Sequence, residues 1–184
     1  EPVLAGIQLL IQNELCVAMI HTRPCSPWSG LRCLRPGPPM LFDLDNLYGI
    51  KDANGMYPQT TVDARLIGDA IASCIRTATS CNRTCLGEGP VGRGRDSPYA
   101  IKGQETHAGV WSYPPVASAL VNGNQTEIIA DLGKAGAKSP KTTAFFVTED
   151  ILPAAQLELG TLKMPDHSPQ MESMVGADAT GTYR

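Results

Sequence analysis

The chain has 184 residues, 42 % of them apolar, with 15 lysines and arginines against 18 acidic residues and a net charge of −3. Length and apolar content suit one domain with an ordinary core, and the charge excludes a global attraction to nucleic acid or to an anionic membrane surface. Aromatic residues amount to 5 %, which excludes a base-stacking platform or an aromatic-lined sugar groove across a sheet.

Leu4, Ile7, Leu10 and Ile11 share one helical face, so a helix is expected at the N-terminus. Gln8, Gln12, Asn13 and Glu14 interrupt this stretch before it reaches the roughly 18 to 20 apolar residues that span a bilayer, so no membrane insertion is expected. The start at Glu1 without a methionine, a basic flank or a small-residue cleavage site reads as a processed or trimmed product. Leu15 to Ile20 fits a short buried strand. From Arg23 to Pro39, five prolines and two glycines forbid continuous helix and predict a long loop, which Cys25 and Cys33 would staple.

Asp43, Asp45, Asp52 and Asn54-Gly55 mark turns, with a tight one near residue 54. Val62, Leu66, Ile67, Ala70, Ile71, Cys74, Ile75 and Ala78 form one apolar stripe, which predicts a helix over 62–79 capped by Thr60 or Thr61, with Asp63 in its first turn. Residues 86–109 hold six glycines and read as irregular. Strands are expected at 116–121, 127–131 and 142–147, with Asn122-Gly123 as a hairpin turn and Pro114 and Pro115 holding the first strand at an edge. A short helix is expected at 150–159 with Pro153 in its first turn, followed by a loose tail. The expected fold class is a single α/β or α+β domain, its disulfide-stapled helical N-terminal half packed on a small sheet. Its parts are a helix-rich, cysteine-containing stretch 1–85, a glycine-rich loop 86–109, a strand-rich part 110–160 and the tail 161–184.

Six cysteines, Cys16, Cys25, Cys33, Cys74, Cys81 and Cys85, all lie in the first 85 residues. As disulfides, one bridge would tie Cys25 or Cys33 to the helix through Cys74 or Cys81. As a soft metal site, Cys16, His21, Cys25 and Cys33 supply ligands and Cys81 and Cys85 add a pair, without the compact C-x2-C knuckle of zinc modules. As reduced thiols, Cys16 and Cys74 would serve as small hydrophobes. Asn82-Arg-Thr84 and Asn124-Gln-Thr126 are N-glycosylation sequons, the first enclosed by Cys81 and Cys85, and together they favour an oxidising, extracytoplasmic compartment.

Gly87-Glu-Gly-Pro-Val-Gly92 matches G-x-G-x-x-G, and Arg93 and Arg95 beside it would make an anion-binding loop. The dinucleotide fingerprint needs a strand before and a helix after, and neither is expected here. His107, His167 and Asp166 are the candidate acid–base residues, although Asp166-His167-Ser168 are chain neighbours that do not face one another as a triad requires. Asp43, Asp45 and Asp52 are candidate calcium ligands without EF-hand spacing. Leu41-Phe-Asp-Leu-Asp-Asn-Leu-Tyr-Gly49 resembles a short segment of animal-type haem peroxidases; the resemblance covers these nine residues, and no activity, cofactor or site is carried over from it.

The leading expectation is a secreted or luminal, glycosylated, disulfide-stabilised domain that binds or assembles with a protein partner through the loops 23–40 and 86–104, without nucleic acid. The alternative is an α/β enzyme, or one chain of a larger processed enzyme, using Arg93 and Arg95 for an anion and His107 or His167 as general acid or base. The sequence specifies no cofactor.

Overall fold

Pro2 opens the first helix, because its fixed φ suits a first turn and the N–H it lacks would be unpaired there. In the computed structural model this helix, α1, runs Pro2–Gln12. The structure describes residues 2–22, 26–28, 32, 39–95, 97, 100, 102–132, 134 and 142–162. Strand β1 follows at Ala18–Thr22, a 3-10 turn at Ser26–Trp28 and the long helix α2 at Gln59–Ser80. Then come β2 at Thr84–Pro90, a 3-10 turn at Val110–Ser112, α3 at Pro114–Asn122, β3 at Thr126–Asp131, β4 at Thr142–Val147 and α4 at Leu152–Gly160.

The four strands form one sheet in the order β1-β2-β4-β3. β1 runs parallel to β2 with Met19 opposite Cys85, whereas β4 is antiparallel to both β2 and β3, with Val147 opposite Leu86 and Thr126. Helices on a mixed sheet bear out the expected α/β or α+β class. The helices 2–12, 59–80 and 152–160 and the strands 126–131 and 142–147 fall where the sequence placed them. α2 begins after Pro58 with no side-chain cap, so Thr60 and Thr61 lie inside the helix and Thr61 is buried.

Two expectations are overturned. Residues 86–90 are not irregular: they belong to β2, which is paired on both sides. Gly87 and Gly89 are there because aromatic rings occupy the space a side chain would need; a Cβ on Gly87 would collide with the His21 ring, and one on Gly89 would lie 2.9 Å from Trp111. The Trp111 indole N–H donates to the Pro90 carbonyl at 2.9 Å, and its ring lies 4.3 Å from that of Phe146. Residues 116–121 are helical, because Pro114 and Pro115 occupy the first turn of α3, where proline favours helix. Asn122-Gly123 accordingly closes a helix and makes no hairpin.

The disulfide expectation also changes. Cys16, Cys74, Cys81 and Cys85 form no disulfide, so no bridge runs from the proline-rich loop to Cys74 or Cys81. Cys74 and Cys85 are buried among apolar side chains, where cysteine packs as a small hydrophobe, and burial pushes the Cys74 thiol up. Cys25 and Cys33 lie outside the described residues.

The core lies between α2, α3 and the sheet, around Ile75, Ala78, Val116, Leu120 and Ala144. Trp28 stacks on Phe42 at 5.3 Å, and Phe42 meets Tyr113 edge-on. Tyr113 lies so close to α2 that a Cβ on Gly68 would come within 2.8 Å of its ring. Its hydroxyl donates to Asp69 at 2.7 Å, and burial together with Asp69 pushes its ionisation up to about 12.

Candidate functional site

The sequence candidates divide into two groups. Three loops meet where Asp43 bridges to His107, the Leu44 N–H donates to the Thr106 carbonyl and the Arg95 N–H donates to the Glu105 carbonyl. His107 is 3 % exposed. Its Nδ1 accepts from the Arg93 backbone N–H at 3.0 Å and its Nε2 pairs with the Trp28 carbonyl at 2.8 Å. Burial first, and then the Arg93 charge, lower its pKa against the raising effect of the Trp28 bond. The imidazole therefore stays neutral, with both nitrogens committed to backbone, and acts as a cross-link between loops.

Arg93 is partly desolvated, which lowers its pKa, and Arg95 stands 3.8 Å from Asp45 across an exposed pair. Gly87 and Gly89 lie in a strand, so the G-x-G-x-x-G segment forms no loop of converging N–H donors. Asp43 accepts from the Asp45 and Asn46 N–H groups, and Asp52 from those of Asn54 and Met56, so these carboxylates build turns in two separate places. Among the described residues, no group of three or more His, Cys, Asp or Glu side chains converges on a metal position. Asp166 and His167 lie outside the described residues.

The second group forms a cavity that the sequence did not reveal. Helices α1, α2 and α3 all end alike. Residues Glu14, Asn82 and Asn124 take positive φ of 62°, 51° and 49°. The next N–H in each case reaches back five residues, from Leu15 to Leu10, Arg83 to Ala78 and Gln125 to Leu120. This is the Schellman ending, in which the left-handed position favours glycine and then asparagine. Both sequon asparagines are therefore helix terminators, each two residues ahead of the threonine that opens a strand.

Because β4 runs antiparallel to β2 and β3, the C-terminal ends of α2 and α3, the starts of β2 and β3 and the end of β4 come together at one end of the sheet. They enclose a cavity of about 440 Å³ lined by Thr79, Asn82, Arg83, Asn122, Asn124, Thr148, Glu149 and Asp150, with the Gly123 backbone. Arg83 donates to Glu14 at 2.9 Å through one terminal nitrogen, while its Nε is buried with no hydrogen-bond partner among the described residues. The Thr79 hydroxyl is buried and unpartnered in the same way. Bonds from the Thr148 hydroxyl and then the Thr84 hydroxyl hold the Asp150 carboxyl below its usual range.

A third feature is apolar. Among the described residues, most of the exposed large apolar side chains fall within the first twenty: Val3, Ile7, Leu9, Leu10, Leu15, Val17 and Ile20. Gln8 turns inward and donates to Ser73 of α2 at 2.8 Å, and Ile11 is buried, so α1 packs by one side and leaves an equally apolar side outward. No helix among the described residues is long and apolar enough to cross a membrane.

No known protein family, curated protein or solved structure matches this chain.

Proposed function

We propose that this chain is an extracytoplasmic, glycosylated binding and assembly domain that docks on a protein partner through its first twenty residues. The observation that carries this reading is the apolar outer surface of α1, β1 and the turn between them, where Val17 of the turn is 81 % and Ile20 of β1 71 % exposed. A helix apolar on all sides is normally buried, and contiguous exposed apolar surface usually marks an interaction site. The partner is a protein with a matching apolar surface: residues 2–22 carry no lysine or arginine, so they offer no attraction to anionic lipid or nucleic acid. The loop 86–104 contributes less to docking than its glycines suggested, since its first five residues lie within β2.

The compartment rests on the sequons at Asn82 and Asn124, both exposed. With no disulfide at Cys16, Cys74, Cys81 or Cys85, any staple is confined to Cys25 and Cys33 across the proline-rich loop. Intact mass of protein from its native source tests this part. Carbohydrate on Asn82 or Asn124 and a gain of two hydrogens on reduction support it, and an unmodified chain with six free thiols overturns it. Docking is tested by sedimentation of native-source protein beside the Leu10→Asp/Ile20→Asp double variant. A complex of discrete stoichiometry that the variant loses is expected. A monomer in both preparations overturns the assembly reading.

A further inference from the structure

Helix α1 packs on α2 by the side that carries Gln8 and Ile11, where the Gln8 carboxamide reaches Ser73 and Ile11 is buried. With about 3.6 residues per turn, the opposite side is centred on Gly6, with Pro2 and Val3 one turn before it and Leu9 and Leu10 one turn after. All five of these residues are exposed.

Nothing within one copy of the chain calls for a glycine at position 6. A Cβ there would meet nothing within 4 Å, and glycine weakens a helix interior relative to alanine. Gly68 of α2 is different, because a Cβ there would come within 2.8 Å of the Tyr113 ring. A glycine surrounded by larger apolar side chains three and four residues away leaves a depression in which another helix can approach closely.

We infer that the apolar face docks on a second copy of this chain, α1 crossing α1 at Gly6, an assignment that rests on the docking reading above and names its partner. The face is its own complement. A two-fold axis through Gly6 lays the two helices antiparallel, with Val3 of each copy beside Leu9 of the other and Pro2 beside Leu10. Residues 2–12 hold no charged side chain, so the axis brings no like charges together, and each helix end lies beside the opposite partial charge of its partner. Together with Leu15 and Val17 just past the helix, the face offers on the order of 600 Å² per copy, so a symmetric pair clears the ~1,000 Å² that a specific interface needs and sits at the weak end of that class. Neither sequon lies in this segment.

Sedimentation equilibrium of the purified, unglycosylated full chain reads self-association with no other protein present. A monomer–dimer equilibrium with a dissociation constant on the order of 10 µM is expected. Gly6→Leu fills the depression and should weaken pairing by about tenfold or more, while the urea midpoint of the dilute monomer stays the same or rises, since leucine is the better helix former and has open space there. Val3→Lys and Leu9→Glu chains should each pair poorly alone and better when mixed, because the two-fold sets residue 3 against residue 9. A purified chain that stays monomeric up to about 1 mM overturns self-pairing. If native-source protein meanwhile sediments with a different chain, the docking reading stands and only this choice of partner falls; a monomer in both preparations overturns both. A dimer untouched by Gly6→Leu, or no gain on mixing the charged variants, overturns the crossing at Gly6.

Discussion

Asn82 and Asn124 each meet two demands: a left-handed backbone at the end of a helix and, in the sequence, the acceptor position of a sequon. The demands separate by mutation. Glycine adopts positive φ freely, so Asn82→Gly removes the acceptor and keeps the helix ending, whereas Asn82→Ala forces a side chain without a local hydrogen bond into that conformation. In urea unfolding of unglycosylated protein, Asn82→Ala and Asn124→Ala are expected to lose about 1 kcal/mol each, and the glycine variants only a few tenths. His107 carries a pH signature. Its folded-state pKa lies below the ordinary value of 6.5, so the unfolded chain takes up the proton first; its contribution to stability is complete above about pH 6.5 and is lost as pH falls below it. The urea midpoint should therefore drop between about pH 7.5 and about pH 5.5, and less so in His107→Gln. The thiols sort by burial. Cys16 and Cys81 are partly exposed and should alkylate in the native protein, whereas Cys74 and Cys85 should react only on unfolding, as read by peptide mapping.

At the scale of elements, what is legible in the sequence is whatever a local pattern dictates. α2 is visible because an eight-residue apolar stripe recurs at helical spacing, and β4 because Thr142 to Val147 is an unbroken run of strand formers and apolar residues. β2 is hidden because its inward positions at 87 and 89 are glycines, chosen by rings from distant parts of the chain, so its alternation of buried and half-buried positions leaves no hydropathy trace. α3 is hidden because paired prolines read as strand breakers when they are in fact a helix start. The cavity is less legible still: Thr79, Arg83, Thr148, Glu149 and Asp150 are ordinary polar residues until the strand order gathers them. One signal was present, the recurrence of Asn-x-Thr directly after a helix. If packing by remote rings explains β2, then Gly89→Ala, which sets a methyl against the Trp111 ring, should cost roughly 1 to 3 kcal/mol by urea unfolding. Gly92→Ala, with open space around it, should cost far less.

At the scale of the whole molecule, the Glu14–Arg83 bridge links the apolar N-terminal segment to the cavity lining. Glu14 is 80 % exposed at its side chain, so the bridge itself contributes little to stability. Glu14→Gln should therefore shift the unfolding midpoint only slightly, as read by urea titration.

The strand order also sets a timetable. β2 sits between β1, which precedes it by more than sixty residues, and β4, which follows it by about as many. β3 and β4 follow one another in the chain and pair antiparallel, but β2, one of the two central strands, has neither of its neighbours close in sequence and waits for both. A ribosome or translocon delivers β1 and β2 well before β4, so until residue 147 emerges, β2 presents an unpaired edge. This protein should therefore fold late and slowly for its size, and a chain interrupted before β4 should aggregate instead of persisting as a stable half.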